Sequence, residues 1–456
     1  MPAAIVVVPD SLRLPVNDTA RLRAVVLNVQ GDTLANAPIA FSSEDTTIAT
    51  VDAGGLVRAR AGGVSDMTIT SGAVTAIVRV RVRINGTLVV TPRTSLIRST
   101  DTMQLTVVVR DSTGATVTNP SVQYRSPDTT VVRVLPSGKV LFGGSAGTVI
   151  IHVSSEGRTD GAFVTAVVAR VGGVEGSLFA VNPAGDLLAY VSGYFSRMRL
   201  PDTVPIGYVH DGLTGYGTLA LDQTASRAYV GDDYWGTLTV LDVAADTLIN
   251  VIQASHAPFN PRPPYAFAVA PNGQLYYNAD SAVYRLAVGA MSATRLFPFG
   301  RAYHTVIRDT LLYVSGDADI REFNIRTGAL GRQFPDTRYA YDLALNPNGT
   351  RLYNTTTSFS TLRIGVWDLT TGDTLPSMSF PGYSGPGDYS YSTLAVQPTT
   401  GLLWIITGAT RIIVVDPSTR RIVRELRPGG QPRGIAFAAS GLGVLGNGQG
   451  WLDFVR

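Results

Sequence analysis

Leu343-Ala-Leu-Asn-Pro-Asn-Gly-Thr-Arg-Leu-Tyr353 and, shortly after it, Ile364-Gly-Val-Trp-Asp-Leu-Thr-Thr-Gly372 decide the fold. In the first stretch an apolar strand runs into Asn-Pro-Asn-Gly, where proline presets φ and glycine supplies a positive φ, so the chain turns tightly into a second strand. The second stretch repeats that logic with Asp-Leu-Thr-Thr-Gly as the turn. The pair therefore reads as two successive hairpins, a meander of four strands.

The same unit recurs along the C-terminal part of the chain. It opens at Phe179-Ala-Val-Asn-Pro-Ala-Gly, Leu219-Ala-Leu-Asp, Phe267-Ala-Val-Ala-Pro-Asn-Gly, Thr305-Val-Ile-Arg-Asp, Leu343-Ala-Leu-Asn-Pro, Leu394-Ala-Val-Gln-Pro and Ile435-Ala-Phe. Second hairpins follow at Leu238-Thr-Val-Leu-Asp, Ile320 to Phe334, Ile364 to Met378 and Ile412-Ile-Val-Val-Asp. Residues 169–456 shared among these units give about 41 each, the size of a four-stranded propeller blade. The last unit ends at Trp451-Leu-Asp-Phe-Val-Arg456, which reads as a third strand. Its fourth comes from elsewhere: either Phe163 to Val171 supplies it and locks the ring, or that segment finishes the preceding domain and the last blade has three strands.

A different repeat occupies the front. Phe41-Ser-Ser-Glu-Asp-Thr-Thr-Ile-Ala-Thr-Val51 with Gly55-Leu-Val-Arg-Ala returns 83 residues later as Tyr124-Arg-Ser-Pro-Asp-Thr-Thr-Val-Val-Arg-Val134 with Gly138-Lys-Val-Leu-Phe. Alternating runs at Arg21 to Val29, Ile77 to Ile84, Met103 to Val109 and Val149 to Val153 carry the period-two pattern of half-buried strands. Each copy is an all-β sandwich of Ig-like size without the Cys-Trp-Cys core of antibody domains.

Both repeats resemble known families. The front copies, through Ala61-Gly62, Met67-Thr-Ile-Thr70 and Ala146-Gly147-Thr148, resemble the group 2 bacterial Ig-like domain of invasin- and intimin-type surface proteins, with Arg125 and Arg133 departing from the pattern in the second copy. That resemblance implies spacers that hold another module away from a cell surface. The short junctions Ile84-Asn-Gly-Thr87 and Ala169-Arg-Val-Gly-Gly173 favour a semi-rigid rod. The rear units resemble the YVTN-type β-propeller repeat, Pro347 to Tyr353 with Val366 to Gly372 being the nearest copy. Such propellers include surface proteins, lactonase-like enzymes and streptogramin-lyase-like enzymes, so the resemblance speaks to fold more than to function. The expected architecture is all-β: two Ig-like β-sandwiches at 1–84 and 85–168, then a seven-bladed β-propeller at 169–456.

Composition narrows the function classes. The chain of 456 residues has 47 glycines and 26 prolines, fitting many strands joined by tight turns, and only 16% charged residues. Its net charge is +3, but Lys139 is the one lysine and the arginines form no run, which argues against nucleic-acid binding. No apolar stretch reaches the length of a membrane span. Zero cysteines remove thiolate metal sites, cysteine nucleophiles and disulfides. Met1-Pro-Ala-Ala4 leads straight into a strand, so no signal peptide is expected in this sequence.

Candidate chemistry gathers on one face of the expected ring. Long connections at Gln253 to Pro264, Phe380 to Tyr391 and Gly231 to Gly236 contrast with terse turns on the other face, and long loops on a rigid scaffold are where binding resides. Just ahead of the innermost strands stand Tyr216, Tyr265, Arg301, Tyr303, Tyr341, Asp342, Tyr391 and Arg433, read as a tyrosine-rich funnel that stacks on sugar rings or grips a polypeptide. The competing reading is that these rings pack blades. Catalytic constellations are thin: His210, His256 and His304 lie near Asp211, Asp232, Asp233 and Asp342 without metal-ligand spacing or a nucleophile motif. A lactonase-like site would take acids around a channel metal, for which Glu175 and Asp342 alone stand at strand starts. A streptogramin-lyase-like site would take His304 as general base. No metal or other cofactor is expected. The leading expectation is an extracellular or surface-attached binding protein with a glycan or protein partner, followed by a propeller enzyme, then a subunit that self-assembles into an extracellular structure.

Overall fold

The computed structural model describes residues 1–456 apart from 84–85, 112–113, 156–157, 177, 211–216, 225, 233–235, 254–265, 280, 301, 317–318, 335–339, 357–360, 386–392 and 409, and apart from the side chains of His210, Ala340 and Tyr341. Among the described residues every regular element is a β-strand, and no helix is long and apolar enough to cross a membrane. The chain divides into two compact units. The first holds Met1–Ile97, Asp101–Gly143 and Val149–Val164; the second holds Arg98–Thr100, Gly144–Thr148 and Thr165–Arg456.

In the first unit the duplication seen in the sequence is a duplication of sheets. Ser11–Pro15, Val74–Arg83, Gly63–Ser71 and Ala40–Ser43 form a four-stranded sheet, and Thr94–Ile97, Arg158–Ala166, Gly147–Ser155 and Gln123–Arg125 form its counterpart. Each is accompanied by a three-stranded and a two-stranded sheet in the same order. The alternation that marks these strands has a direct physical reading: Val78, Val80 and Val82 are buried, while Arg79, Arg81 and Arg83 between them face solvent.

The second unit is a closed succession of seven four-stranded antiparallel sheets among the described residues. Their first strands are Phe179–Val181, Thr218–Leu221, Ala268–Val269, Ala302–Arg308, Ala340–Leu345, Leu394–Val396 and Pro432–Phe437. Each first strand lies against the first strand of the next sheet, and the seventh lies against the first. This is a propeller-like β fold. The Pro347-Asn-Gly turn works as its sequence requires, Gly349 sitting at φ 67°. Strand alternation then builds the core between sheets. Leu343 faces back toward Tyr313 and Phe334 of the fourth sheet, and Ala344 faces forward toward Leu394 and Leu403 of the sixth.

Ring closure resolves the question left open by the sequence, because the segment Phe163 to Val171 is divided. Arg158–Ala166 completes the second four-stranded sheet of the front repeat, and Ala169–Gly172 becomes the outermost strand of the seventh ring sheet, antiparallel to Trp451–Val455. The two ends of the ring are thereby joined by a ladder. Arg170 fixes its register: Nε and one Nη donate to the two Asp453 oxygens at 2.6 and 2.7 Å, the same Nη reaches the Pro428 carbonyl at 2.7 Å, and the guanidinium lies 4.5 Å from the Trp451 ring centre. Burial pushes the fully enclosed Asp453 carboxyl up, and the Arg170 hydrogen bonds pull against that shift. Removing the cation leaves a buried acid without its partner. Arg170→Ala is therefore expected to lower unfolding stability by about 3–5 kcal/mol, read as a reduced guanidinium midpoint at unchanged slope. An unchanged midpoint would show that the ladder alone holds the ring.

Candidate functional site

The fourth to sixth ring sheets meet at one buried carboxylate. Asp342 stands near the start of Ala340–Leu345, where the ladder to the next strand is broken by a register shift between Ala340 and Asp342. A second shift lies between Ala302 and Thr305 on the neighbouring first strand, at His304. Such bulges turn a side chain out of the regular pleat. They set His304 and Asp342 together, Nδ1 lying 3.3 Å from Oδ1, and Nδ1 makes no hydrogen bond among the described residues.

Asp342 is saturated from its own and the following sheet. Oδ1 accepts the Leu343 N–H at 2.9 Å; Oδ2 accepts the N–H groups of Thr393 and of Leu394, the latter at 2.8 Å, and the Thr393 hydroxyl at 3.3 Å. One carboxylate thus touches three consecutive sheets. Burial pushes the Asp342 carboxyl up, and His304 with the backbone N–H groups of Leu394, Thr393 and Leu343 draws it back down. His304 keeps about a quarter of its side chain accessible, while Asp342 is 1% exposed. His304 is held through its backbone, its N–H donating to the Ser315 hydroxyl at 3.0 Å and its carbonyl accepting from that hydroxyl at 3.2 Å.

The second strand of the fifth sheet, Arg351–Thr356, adds polar groups that the sequence reading passed over. Thr355 pairs with Asp342 across the ladder and so shares its face, whereas Asn354 pairs with Leu343 on the opposite face. Both are fully buried, and the Thr355 hydroxyl and both Asn354 amide atoms have no hydrogen-bond partner among the described residues. Gly365 sits across from Asn354, and any Cβ there would fall 2.1 Å from the amide oxygen. The signal was available: Asn354-Thr-Thr-Thr357 is polar where the matching strands continue Tyr229-Val and Tyr313-Val.

The other expected residues fall differently. Tyr303 is 5% exposed, so its ring packs in the interior. Arg433 is half-buried and its guanidinium donates to Gln431 at 3.0 Å. Tyr341 lies on Ala340–Leu345, its side chain outside the described set, and Tyr216, Tyr265, Arg301 and Tyr391 lie outside the described residues altogether. His256, Asp211 and Asp233 are also outside them, and so is the side chain of His210. Glu175 is exposed and Asp232 is buried. Among the described residues no group of three His, Cys, Asp or Glu side chains is placed to hold a metal ion.

No protein-family model matches this chain, and no curated protein sequence matches it. Among solved structures, hydrazine synthase of Kuenenia stuttgartiensis is similar, with a TM-score of 0.50 and 12% identity over 63% of this chain and 97% of that one. At that identity the likeness concerns the β-propeller-like fold alone.

The chemistry of Asp342 gives a signed expectation. A folded-state pKa above the ordinary value of 3.8 means that its contribution to stability is fully present in acid and is lost as pH rises from 3.8 through the folded pKa. An amide cannot titrate, and it would set an NH2 group against N–H donors. Asp342→Asn is expected to cost about 1–3 kcal/mol and to flatten the decline of stability with rising pH, checked by urea unfolding of both proteins across the mildly acidic range. Parallel pH profiles would remove Asp342 as the titrating group.

Proposed function

We propose that this chain is a binding protein of a bacterial exterior, secreted or attached to the surface. In this reading two group 2 Ig-like sandwiches, residues 1–84 and 85–168, are spacers, and a seven-bladed YVTN-type propeller, residues 169–456, takes a glycan or protein partner on its long-loop face. The observation that carries binding over catalysis is the saturation of Asp342. Both oxygens of the acid best placed for chemistry are occupied by backbone N–H groups of the fifth and sixth sheets, which is the work of a stitch between sheets. The partner class follows from the sequence of the long loops, which combine tyrosine, proline and glycine with few charges, a composition that offers flat rings with a hydroxyl at low entropic cost. Screening the full chain on glycan and peptide arrays, then titrating the hit against Tyr265→Ala/Tyr391→Ala, tests it. Loss of about tenfold or more in affinity is expected where both rings stack on the ligand; unchanged affinity would overturn the tyrosine-lined face.

One observation favours the enzyme reading as second choice. A histidine that is partly open and lies 3.3 Å from a buried carboxylate has the two parts of a general base with its supporting acid. On that reading the protein opens lactones or eliminates across cyclic esters. Such turnover, lost in His304→Ala, would displace the binding reading, whereas equal turnover by the variant would exclude His304 as the base.

A further inference from the structure

The first unit contains a cleft of about 680 Å³ bounded by both copies of its repeat, with Gly63, Val64, Arg81 and Arg83 on one side and Gln123 and Ser155 on the other. We propose that this cleft is a binding site for an acidic oligosaccharide, a chain of sugars carrying carboxylate or sulfate groups. The reading is independent of the ring and of the loops that serve the function proposed above.

Charge is the first argument. Arg81 and Arg83 are exposed, neither has an ion-pair partner among the described residues, and Arg13 lies directly beside Arg81 in the neighbouring strand with none either. Arg79 differs, being paired with Asp66 at 3.1 Å. Like charges held side by side across a sheet are unfavourable, so the fold alone gives no reason to keep them. The second copy supplies the comparison. Its equivalent strand, Arg158–Ala166, buries Ala162, Val164 and Ala166 where the first buries Val78, Val80 and Val82. Between them it carries an exposed Phe163 in place of Arg79 and a buried Thr165 in place of Arg81, so the strand pairs without the arginines.

Size and lining give the ligand class. The cleft falls within the about 300–1,000 Å³ of small-molecule sites, well beyond what one inorganic ion fills. Besides Ile48 and Gly62, its remaining walls carry hydroxyls and an amide, Ser121, Gln123, Ser154 and Ser155, which suit the hydroxyls of a sugar. The Ser155 hydroxyl is buried and without a hydrogen-bond partner among the described residues. Among the described residues no aromatic ring lines the cleft, so a neutral sugar has no flat face there to stack on and the arginines carry recognition through an anionic group.

The test is calorimetric titration of the full chain with an oligogalacturonate, a sulfated oligosaccharide, a neutral malto-oligosaccharide, inorganic phosphate and a single-stranded oligonucleotide. Binding of one or both acidic sugars is expected, weakened by salt and by about tenfold or more in Arg81→Ser/Arg83→Ser, with no response to the neutral sugar. Both substituted residues are exposed, so the variant should melt like the parent, and Arg58→Ser on a different sheet should bind like the parent. Tyr265→Ala/Tyr391→Ala should also bind acidic sugar unchanged, which separates failure here from failure of the ring reading. The proposal is overturned by no binding, by binding indifferent to the arginines, or by phosphate or oligonucleotide binding as tightly as the sugars.

Discussion

The ring depends on a ladder between residues almost three hundred positions apart, Ala169–Gly172 against Trp451–Val455. Six of its sheets are local meanders that each segment can form from its own strands, but none of them buries both faces alone. Stacking is what hides Leu343 and Ala344 on opposite sides of one strand, and stacking is complete only when the seventh sheet meets the first. An open array would leave two apolar faces to water. Closure therefore converts seven weak units into one cooperative body, and the Arg170–Asp453 pair makes the closing register unique, since a slip of one residue would bury Asp453 without its cation.

Asp342 does on the inner side of the ring what Arg170 does on the outer side. Hydrophobic contact between sheets is non-directional and allows sliding. A carboxylate that accepts N–H groups from two sheets and faces a histidine from a third does not. The arrangement uses buried polar groups whose loss is more costly than their presence is stabilising, which fixes one packing among several of similar apolar area. The amide of Asn354 and hydroxyl of Thr355, without partners among the described residues, fall in the same region.

The fold was legible because its signals are local. Pro-Asn-Gly and Asp-Leu-Thr-Thr-Gly are turns by their own chemistry, and period-two alternation assigns each side chain a face. The 83-residue repeat, likewise, needed only comparison of the chain with itself. The candidate site was legible in part. Asp342 and His304 were both singled out by their place before a first strand, but their approach depends on two bulges, at Ala302/Thr305 and Ala340/Asp342, which insert a residue into a strand without changing its composition. The same bulges separate Tyr303, which turns into the core, from His304 beside it. Closure was undecided for a related reason: Phe163 to Val171 is a mostly apolar run broken only by Thr165 and Arg170, and nothing in its composition says that it serves two sheets.

The two copies at the front show how a fold and its decoration come apart. Half-buried strands need alternation, and alternation specifies only that every second residue be apolar and of suitable size. In Val74–Arg83 the intervening positions end in Arg79, Arg81 and Arg83, and in Arg158–Ala166 they include Phe163 and a buried Thr165, while the buried partners stay small and aliphatic in both. Stability alone would favour mixing signs on such a face, as Asp66 does for Arg79. Opposite Arg81, however, the antiparallel neighbour offers Val64 and the parallel neighbour offers Arg13. A face that leaves its positive charges unneutralised by the chain retains an electrostatic demand that an external anion can meet, and the hydroxyl-lined cleft beside it determines the size and polarity of the anion that fits.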